Sequence, residues 1–132
     1  MIGIDTNVLL RYVAQDDPVQ SAIAKRFVDG TLSIGQRGYV SLPVLVECLW
    51  VLGSRYQATR EELVEFVSEL LSDARFEVQD GNAAWLALEQ AEASNVDVAD
   101  ALITFVNTQH GCSRTVTFDR RARLIPGMTL LS

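Results

Sequence analysis

The feature that most constrains the fold is the regular alternation of very short apolar runs with longer segments of helical periodicity. The apolar runs cover residues 2–4, 39–40, 76–78, 115–118 and 129–131. Strands that alternate with helices are typical of a mainly parallel sheet with helices on both faces. The pattern therefore predicts an α/β fold with three layers, α/β/α, and a short-stranded, mainly parallel central sheet.

Apolar spacing and helix-capping signals predict six helices between these strands. They cover residues 8–13, 19–29, 42–56, 59–71, 82–93 and 97–109, and a short helical turn covers 119–124. Thr59 followed three residues later by Glu62 is a capping-box pattern, and Ser41 is the expected cap of the third helix. Gly30 is expected to end the second helix. The residues of the fifth helix that we expect to face the core are Trp85, Leu86 and Leu88.

The length of 132 residues predicts a single domain over residues 1–132, and the 48% of hydrophobic residues can form a substantial core. The longest apolar run, residues 42–52, contains Pro43 and Glu47 and is too short to cross a bilayer. The first residues lack the basic segment and cleavage site of a signal peptide, so we expect a cytoplasmic protein. Cys48 and Cys112 match no zinc-site spacing and lie beside apolar residues, which predicts two reduced thiols in the core.

The charge balance opposes nucleic-acid binding at first sight, because 17 acidic and 11 basic residues give a net charge of -6. Four arginines nevertheless lie close together near the C-terminus: Arg114, Arg120, Arg121 and Arg123. Arginine binds phosphate through two parallel hydrogen bonds, so this cluster is a candidate contact for substrate phosphates. A solvated basic helix end explains the same residues equally well, and both interpretations stay open.

Two acidic residues come directly after predicted strands. Asp5 follows the first strand and Asp119 follows the strand at 115–118. Ligands of open parallel sheets bind outside the carboxyl ends of the strands, which makes both residues candidates for a site. Aspartate is also a favoured helix N-cap, and capping alone would explain either residue.

Glu47 lies in a helix whose neighbouring residues are apolar on nearly every side, so we expect it to be buried. A buried carboxylate without a partner costs several kcal/mol or shifts its pKa until it is neutral. A cation should therefore lie beside Glu47. An arginine ion pair and a metal ion both meet this requirement, and we favour the metal.

Asp97 and Asp100 are three residues apart at the start of the sixth helix, so they lie on similar faces. Asp97 is the expected N-cap. Asp100 is explained less well by capping, because one cap is sufficient. Its apolar successors place it at the edge of the core.

The acidic residues together predict a site for a hard cation. Clustered carboxylates repel one another unless cations hold them, and oxygen ligands favour Mg²⁺ or Mn²⁺ over zinc. His110 is the only histidine, so it cannot supply a typical zinc site or a recognisable nucleophile–base pair. The sequence also contains no P-loop and no GxGxxG motif.

Three segments carry a resemblance to a known family: MIGIDTNVLL at residues 1–10, VADALI at 98–103 and TVTFDRRA at 115–122. In order and spacing they resemble PIN-domain proteins, and among these the VapC toxins of toxin–antitoxin pairs. The resemblance covers the whole chain.

The resemblance implies a PIN-like nuclease domain whose catalytic and metal-binding residues are Asp5, Glu47, Asp100 and Asp119, with Mg²⁺ or Mn²⁺ as cofactor. It further implies that Asn7 and Thr117 support the first carboxylate, and that Asp97 is a secondary acidic position. Under this interpretation the arginine cluster would bind substrate phosphates.

The implied function is that of an endoribonuclease toxin that hydrolyses RNA phosphodiester bonds. Its expected partners are the RNA substrate, a cognate antitoxin that blocks the site and a second copy of the chain in a homodimer, with no membrane involved. Family analogy places the antitoxin against the early helices, including Leu9, Tyr12 and Trp50.

Three alternatives remain. They are a PIN-fold nuclease that acts in RNA maturation or on DNA, a binding module of the same fold without catalysis, and a receiver-type signalling domain. The last needs a lysine after a late strand, whereas the only lysine, Lys25, lies in an early helix.

Overall fold

The computed structural model describes residues 1–131, and it contains the predicted alternation of strands and helices. In chain order the elements are β1 (Ile2–Gly3), α1 (Thr6–Ala14), α2 (Pro18–Thr31), β2 (Gly38–Val40), α3 (Leu42–Ser54), α4 (Arg60–Ser72), β3 (Phe76–Val78), α5 (Gly81–Ser94), α6 (Val98–Gln109), β4 (Thr115–Thr117), a 3₁₀ turn (Ala122–Leu124) and β5 (Met128–Leu130). Within residues 1–131 no helix has both the length and the apolar character that a bilayer-spanning segment requires.

The strands pair in two parallel ladders. In the first, β2 lies between β1 and β3, with Gly38 opposite both Ile2 and Phe76. In the second, β4 pairs with β5, with Thr115 opposite Met128. Every strand pair in the described part of the chain is parallel, which confirms the predicted α/β/α fold with short parallel strands.

The first ladder packs closely against the end of α2, and glycine at position 38 permits this approach. A Cβ atom at Gly38 would lie 2.9 Å from Leu32 Cδ1 and 3.0 Å from Ile4 Cγ1. Such contacts are too short for a side chain to be accommodated without movement of its neighbours. The prediction that Gly30 ends α2 is wrong by one residue, since the helix continues to Thr31.

The predicted orientation of α5 is wrong for two of its three residues. Trp85 and Leu86 are each 42% exposed, whereas Leu88 is buried as expected. The buried face of α5 is instead a stripe of small residues, Ala83, Ala84, Ala87 and Ala91, together with Leu88. Small side chains let two helix backbones approach each other closely, so α5 packs through alanines and carries its large residues outside.

The N-terminus of α4 is held by the capping box that the sequence predicted. Thr59 Oγ1 accepts a hydrogen bond from the Glu62 backbone N–H at 3.1 Å, and Glu62 Oε1 accepts one from the Thr59 N–H at 3.0 Å. Ser41 has the corresponding position in α3, but its side chain makes no capping hydrogen bond. There the Leu42 N–H donates to Gln79 Oε1 at 2.9 Å, so a side chain distant in sequence replaces the local cap.

Because the two N-caps differ, replacing each of them with alanine should lower the free energy of unfolding by a different amount. Thr59→Ala should lower the free energy of unfolding by about 1 kcal/mol, because the Glu62 backbone N–H loses its side-chain acceptor. Ser41→Ala should change it by less than about 0.5 kcal/mol, as for a surface position without such a role. Urea unfolding followed by circular dichroism would measure both, and equal losses for the two variants would contradict the assignment.

Candidate functional site

Asp5 and Asp119 lie at the carboxyl ends of β1 and β4, as predicted, and each uses one carboxylate oxygen locally. Asp5 is the N-cap of α1, and its Oδ1 accepts a hydrogen bond from the Thr6 N–H at 2.8 Å. Asp119 Oδ1 accepts one from the Arg121 N–H at 2.9 Å. Both side chains are exposed. Capping therefore accounts for one oxygen of each carboxylate and leaves the other oxygen directed away from these bonds.

The two residues expected to support Asp5 have different surroundings. Thr117 Oγ1 accepts a hydrogen bond from the Asp119 N–H at 3.0 Å, so it stabilises the second strand end rather than the first. Asn7 lines a groove between α1 and α2. Among the described residues its side chain makes no hydrogen bond to Asp5.

The expectation that Glu47 is buried is wrong, because its side chain is exposed. The helix α3 does have an exposed stripe, formed by Pro43, Glu47, Trp50 and Ser54 at helical spacing. The pattern of apolar residues could not reveal this exposed face, because one of its members, Trp50, is itself apolar. The burial of Glu47 therefore gives no argument for a cation. An ion pair is not formed either: in residues 1–131 no basic side chain lies within 4.0 Å of Glu47.

Asp5 and Glu47 both act electrostatically on the thiol of Cys48. This thiol is fully buried, and its pKa is raised to about 12, first by burial and then by the negative charges of Glu47 and Asp5. Both carboxylates therefore lie within electrostatic range of this thiol, Asp5 at the end of β1 and Glu47 on α3. Cys48 is a core thiol as predicted, but Cys112 is exposed, so that part of the prediction is wrong.

A second group of carboxylates lines a cleft of about 410 Å³ beside the N-terminus of α6. Its acidic residues are Asp97, Asp100 and Asp119. Asp97 is the N-cap of α6, and its Oδ1 accepts a hydrogen bond from the Asp100 N–H at 3.0 Å. Asp100 is half-buried. Burial raises its pKa, and the charges of Asp97 and Asp119 raise it further. Asp100 is therefore subject to repulsion from two like charges in this cleft.

Of the four predicted catalytic positions, Asp100 and Asp119 line this cleft together, and Asp5 and Glu47 both act electrostatically on Cys48. Within residues 1–131 no three acidic, histidine or cysteine side chains are arranged closely enough to enclose a metal ion. The donor chemistry nevertheless fits Mg²⁺ or Mn²⁺, because these are oxygen ligands without a basic partner within 4.0 Å in the described chain. Mg²⁺ in proteins commonly keeps several waters and binds through only one or two carboxylates.

Of the four predicted arginines, only Arg121 lines the cleft. Arg114, Arg120 and Arg123 are exposed, and no carboxylate pairs with any of the four in the part of the chain that the structure describes. The cleft also contains Arg60, which sequence reasoning missed. Its Nη1 donates to the Ala91 carbonyl at 2.6 Å and its Nη2 to Glu61 at 2.9 Å. Only tertiary packing brings Arg60 here, so no local pattern could have identified it.

The short parallel strands, the flanking helices and the acid-lined cleft define a nuclease-type α/β domain. A family model described as "PIN domain" matches residues 2–127. The chain therefore belongs to the PIN domain family, whose members are generally metal-dependent nucleases that act on nucleic acid. A comparison with curated proteins found no match.

The environment of Asp100 predicts that neutralising it stabilises the protein when no divalent cation is present. Its raised pKa means that the folded state binds a proton more tightly than the unfolded state. The resulting stabilisation is complete below the usual aspartate range and is lost as the pH rises through the pKa of Asp100 in the folded protein. At pH 7 in EDTA, Asp100→Asn should therefore have a higher Tm than the wild type, and the difference should shrink as the pH falls.

Glu89→Gln is the matched control, because Glu89 is exposed on α5 and lies outside the cleft. Glu89→Gln removes one negative charge, as Asp100→Asn does, but it leaves the repulsion between the carboxylates of the cleft unchanged. Its Tm should therefore stay near that of the wild type. A lower Tm for Asp100→Asn at pH 7 would show that the charge of Asp100 is already compensated.

Proposed function

We propose that the chain is a metal-dependent endoribonuclease and the toxin of a VapBC-type toxin–antitoxin pair. The observation that carries this proposal is the cleft at the start of α6, where half-buried Asp100 lies with Asp97 and Asp119 and none of the three forms an ion pair in the described residues. An aspartate on a protein surface usually has fewer like charges around it than Asp100 has. A PIN domain with three carboxylates in one cleft, none of them in an ion pair with the two arginines that line it, has the means to attract a divalent cation.

In the proposed site, Asp5, Asp100 and Asp119 hold Mg²⁺ or Mn²⁺ directly or through water, and Glu47 is either a further ligand or orients the attacking water. The bound ion would lower the pKa of a water molecule and stabilise the leaving oxygen of the phosphodiester. The hydrogen bonds from Thr6 to Asp5 and from Arg121 to Asp119 fix these carboxylates before any ion binds. Such fixed side chains reduce the reorganisation that catalysis requires.

The arginines would bind the substrate backbone. Arg121 and Arg60 line the cleft itself, whereas Arg114, Arg120 and Arg123 are exposed near it in sequence. A chain of net charge -6 repels RNA at long range, so local basic groups have to compensate for this repulsion. Because such binding releases counterions from the RNA, it should weaken steeply with salt.

We also propose that the antitoxin binds the groove between α1 and α2. This groove has a volume of about 450 Å³, and its apolar lining includes Ile4, Val8, Ile23 and Phe27. Val8 and Ile23 are exposed there. Of the contacts that family analogy suggested, Leu9 cannot contribute, since it is only 2% exposed. Trp85 and Leu86 form an exposed apolar pair on α5, which a second copy of the chain would cover in the proposed homodimer.

The decisive test is cleavage of total RNA by Asp5→Asn. This substitution removes a proposed ligand but keeps an N-cap residue, so the fold should be preserved. Cleavage should fall by more than about 100-fold, beyond the effect of losing a residue that only supports a metal ligand. Wild-type cleavage should require Mg²⁺ or Mn²⁺ and stop in EDTA.

Asp17→Asn provides the control, because Asp17 is likewise an N-cap, accepting hydrogen bonds from Val19 and Gln20, and lies outside the site. It should cleave as the wild type does. Undiminished cleavage by Asp5→Asn would refute the assignment of the site.

Further experiments distinguish the alternative functions. Co-expression of a small protein encoded directly upstream should suppress cleavage if the chain is a toxin. Cleavage that no such protein suppresses would favour a role in RNA maturation, and cleavage of DNA alone would indicate a DNA nuclease. RNA binding without cleavage would indicate a binding module.

A further inference from the structure

Phe118 is the most exposed large hydrophobic side chain in the described structure, at 80% exposure. It lies directly after the last residue of β4 and directly before Asp119. Phenylalanine is normally among the buried residues, and its exposure carries an unfavourable hydration cost. No residue of the described fold covers this ring, which is therefore open to a ligand.

The backbone on both sides of Phe118 is fixed. The Leu131 N–H donates to the Thr117 carbonyl at 2.7 Å, and the Asp119 N–H donates to Thr117 Oγ1 at 3.0 Å. One residue further, Asp119 Oδ1 accepts from the Arg121 N–H at 2.9 Å. The ring has only two side-chain torsions, so little entropy is lost when a ligand packs on it. Phe118 is thus an apolar surface held in place next to a proposed catalytic carboxylate.

The neighbours of Phe118 indicate the kind of ligand. Asp119 and Arg121 line the acidic cleft, and Arg120 lies exposed between them in sequence. A flat aromatic face next to arginines matches a nucleic-acid strand, which offers a base to the ring and phosphates to the guanidinium groups. An apolar protein segment would use the ring but would leave the adjacent arginines without a partner.

We propose that Phe118 is a base-stacking residue, which holds an unpaired nucleotide of the substrate next to the phosphodiester that is cut. This inference rests on the proposed nuclease function and specifies its substrate as a single-stranded segment. In a duplex each base is stacked between its neighbours and presents only its edge, so a paired base cannot offer its face to the ring.

The test measures binding apart from cleavage. In the Asp5→Asn background with Mg²⁺, fluorescence anisotropy would give the Kd for a labelled twelve-nucleotide oligoadenylate and for an RNA duplex of the same length. Phe118→Ala and Phe118→Leu should each weaken binding of the single strand by at least about fivefold, the lower end of the effect of removing a base–aromatic stack. Phe118→Tyr keeps the aromatic face and should retain the affinity. Duplex binding should change little in all three.

Ile34→Ala is the matched control, because Ile34 is 77% exposed in the loop before β2 and its sequence neighbours, Ser33 and Gly35, carry no charge. Its affinity should equal that of the background protein. Phe118→Leu separates stacking from general apolar contact, since leucine keeps most of the volume but has no π face. Circular dichroism would verify that each variant is folded.

Four outcomes would overturn the inference. If Phe118→Ala binds as tightly as the background protein while wild-type cleavage still requires Asp5, the nuclease function stands and stacking is refuted. If Phe118→Leu retains full affinity, the contact is not a stack. If Phe118→Ala changes only the oligomeric state in light scattering, the ring belongs to an interface between copies. A wild-type protein that neither binds nor cleaves RNA would refute the proposed function as well.

Discussion

The junction between a short parallel strand and the helix or turn that follows is the constraint on which the site depends. The strands have only two or three residues, so the acidic residues at the sheet edge lie just after them. Asp5 lies two residues after β1 and is the N-cap of α1, and Asp119 lies two residues after β4, just before the 3₁₀ turn. A carboxylate at a helix N-terminus is favoured by the helix dipole and by free backbone N–H groups. The same local physics that starts a helix therefore also places acidic groups near one another, and neither role excludes the other.

At Asp100 the favourable effect of a helix N-terminus on a carboxylate is outweighed by other interactions. It lies in the first turn of α6, where the dipole favours a negative charge, yet its pKa is raised because burial and two neighbouring carboxylates outweigh that effect. Folding alone gains nothing from such an arrangement. Perturbed carboxylates of this kind are concentrated at functional sites, where the unfavourable interaction is relieved by a ligand. Some carboxylates elsewhere in the described chain are neutralised by ion pairs, since Asp73 and Asp29 both contact Arg75 and Asp16 contacts Arg11. The pKa values of these three carboxyl groups are lowered, whereas that of Asp100 is raised.

Structural features that neighbouring residues determine could be predicted from the sequence, whereas features that tertiary packing determines could not. The Thr59–Glu62 capping box, the strand ends at Asp5 and Asp119 and the cap at Asp97 all follow from neighbouring residues, and all are present.

The orientation of α3 and α5 does not follow from local patterns, because both helices have apolar residues on several faces. Whether Glu47 lies inside or outside depends on which face of α3 the neighbouring elements cover. Arg60 reaches the cleft through the packing of α4 against the end of α5, which the sequence does not encode locally. The resemblance of three short motifs names site residues independently of helix orientation, and their catalytic roles stay a prediction.

The arrangement of the acidic residues bears on how metal and substrate would bind under the proposed function. Asp5 and Glu47 both raise the pKa of Cys48, Asp97, Asp100 and Asp119 line the cleft, and no three donors in the described residues enclose one ion. A divalent cation held by one or two of these carboxylates would keep several waters, which substrate phosphate oxygens could replace. Metal affinity and RNA affinity would then be linked, because each ligand supplies part of the surroundings that the other requires. Such a protein would bind the ion weakly on its own and more tightly with a strand in the cleft. The arginines at the cleft and the fixed ring of Phe118 lie where they would favour that joint state, since phosphates and bases arrive together on a single strand.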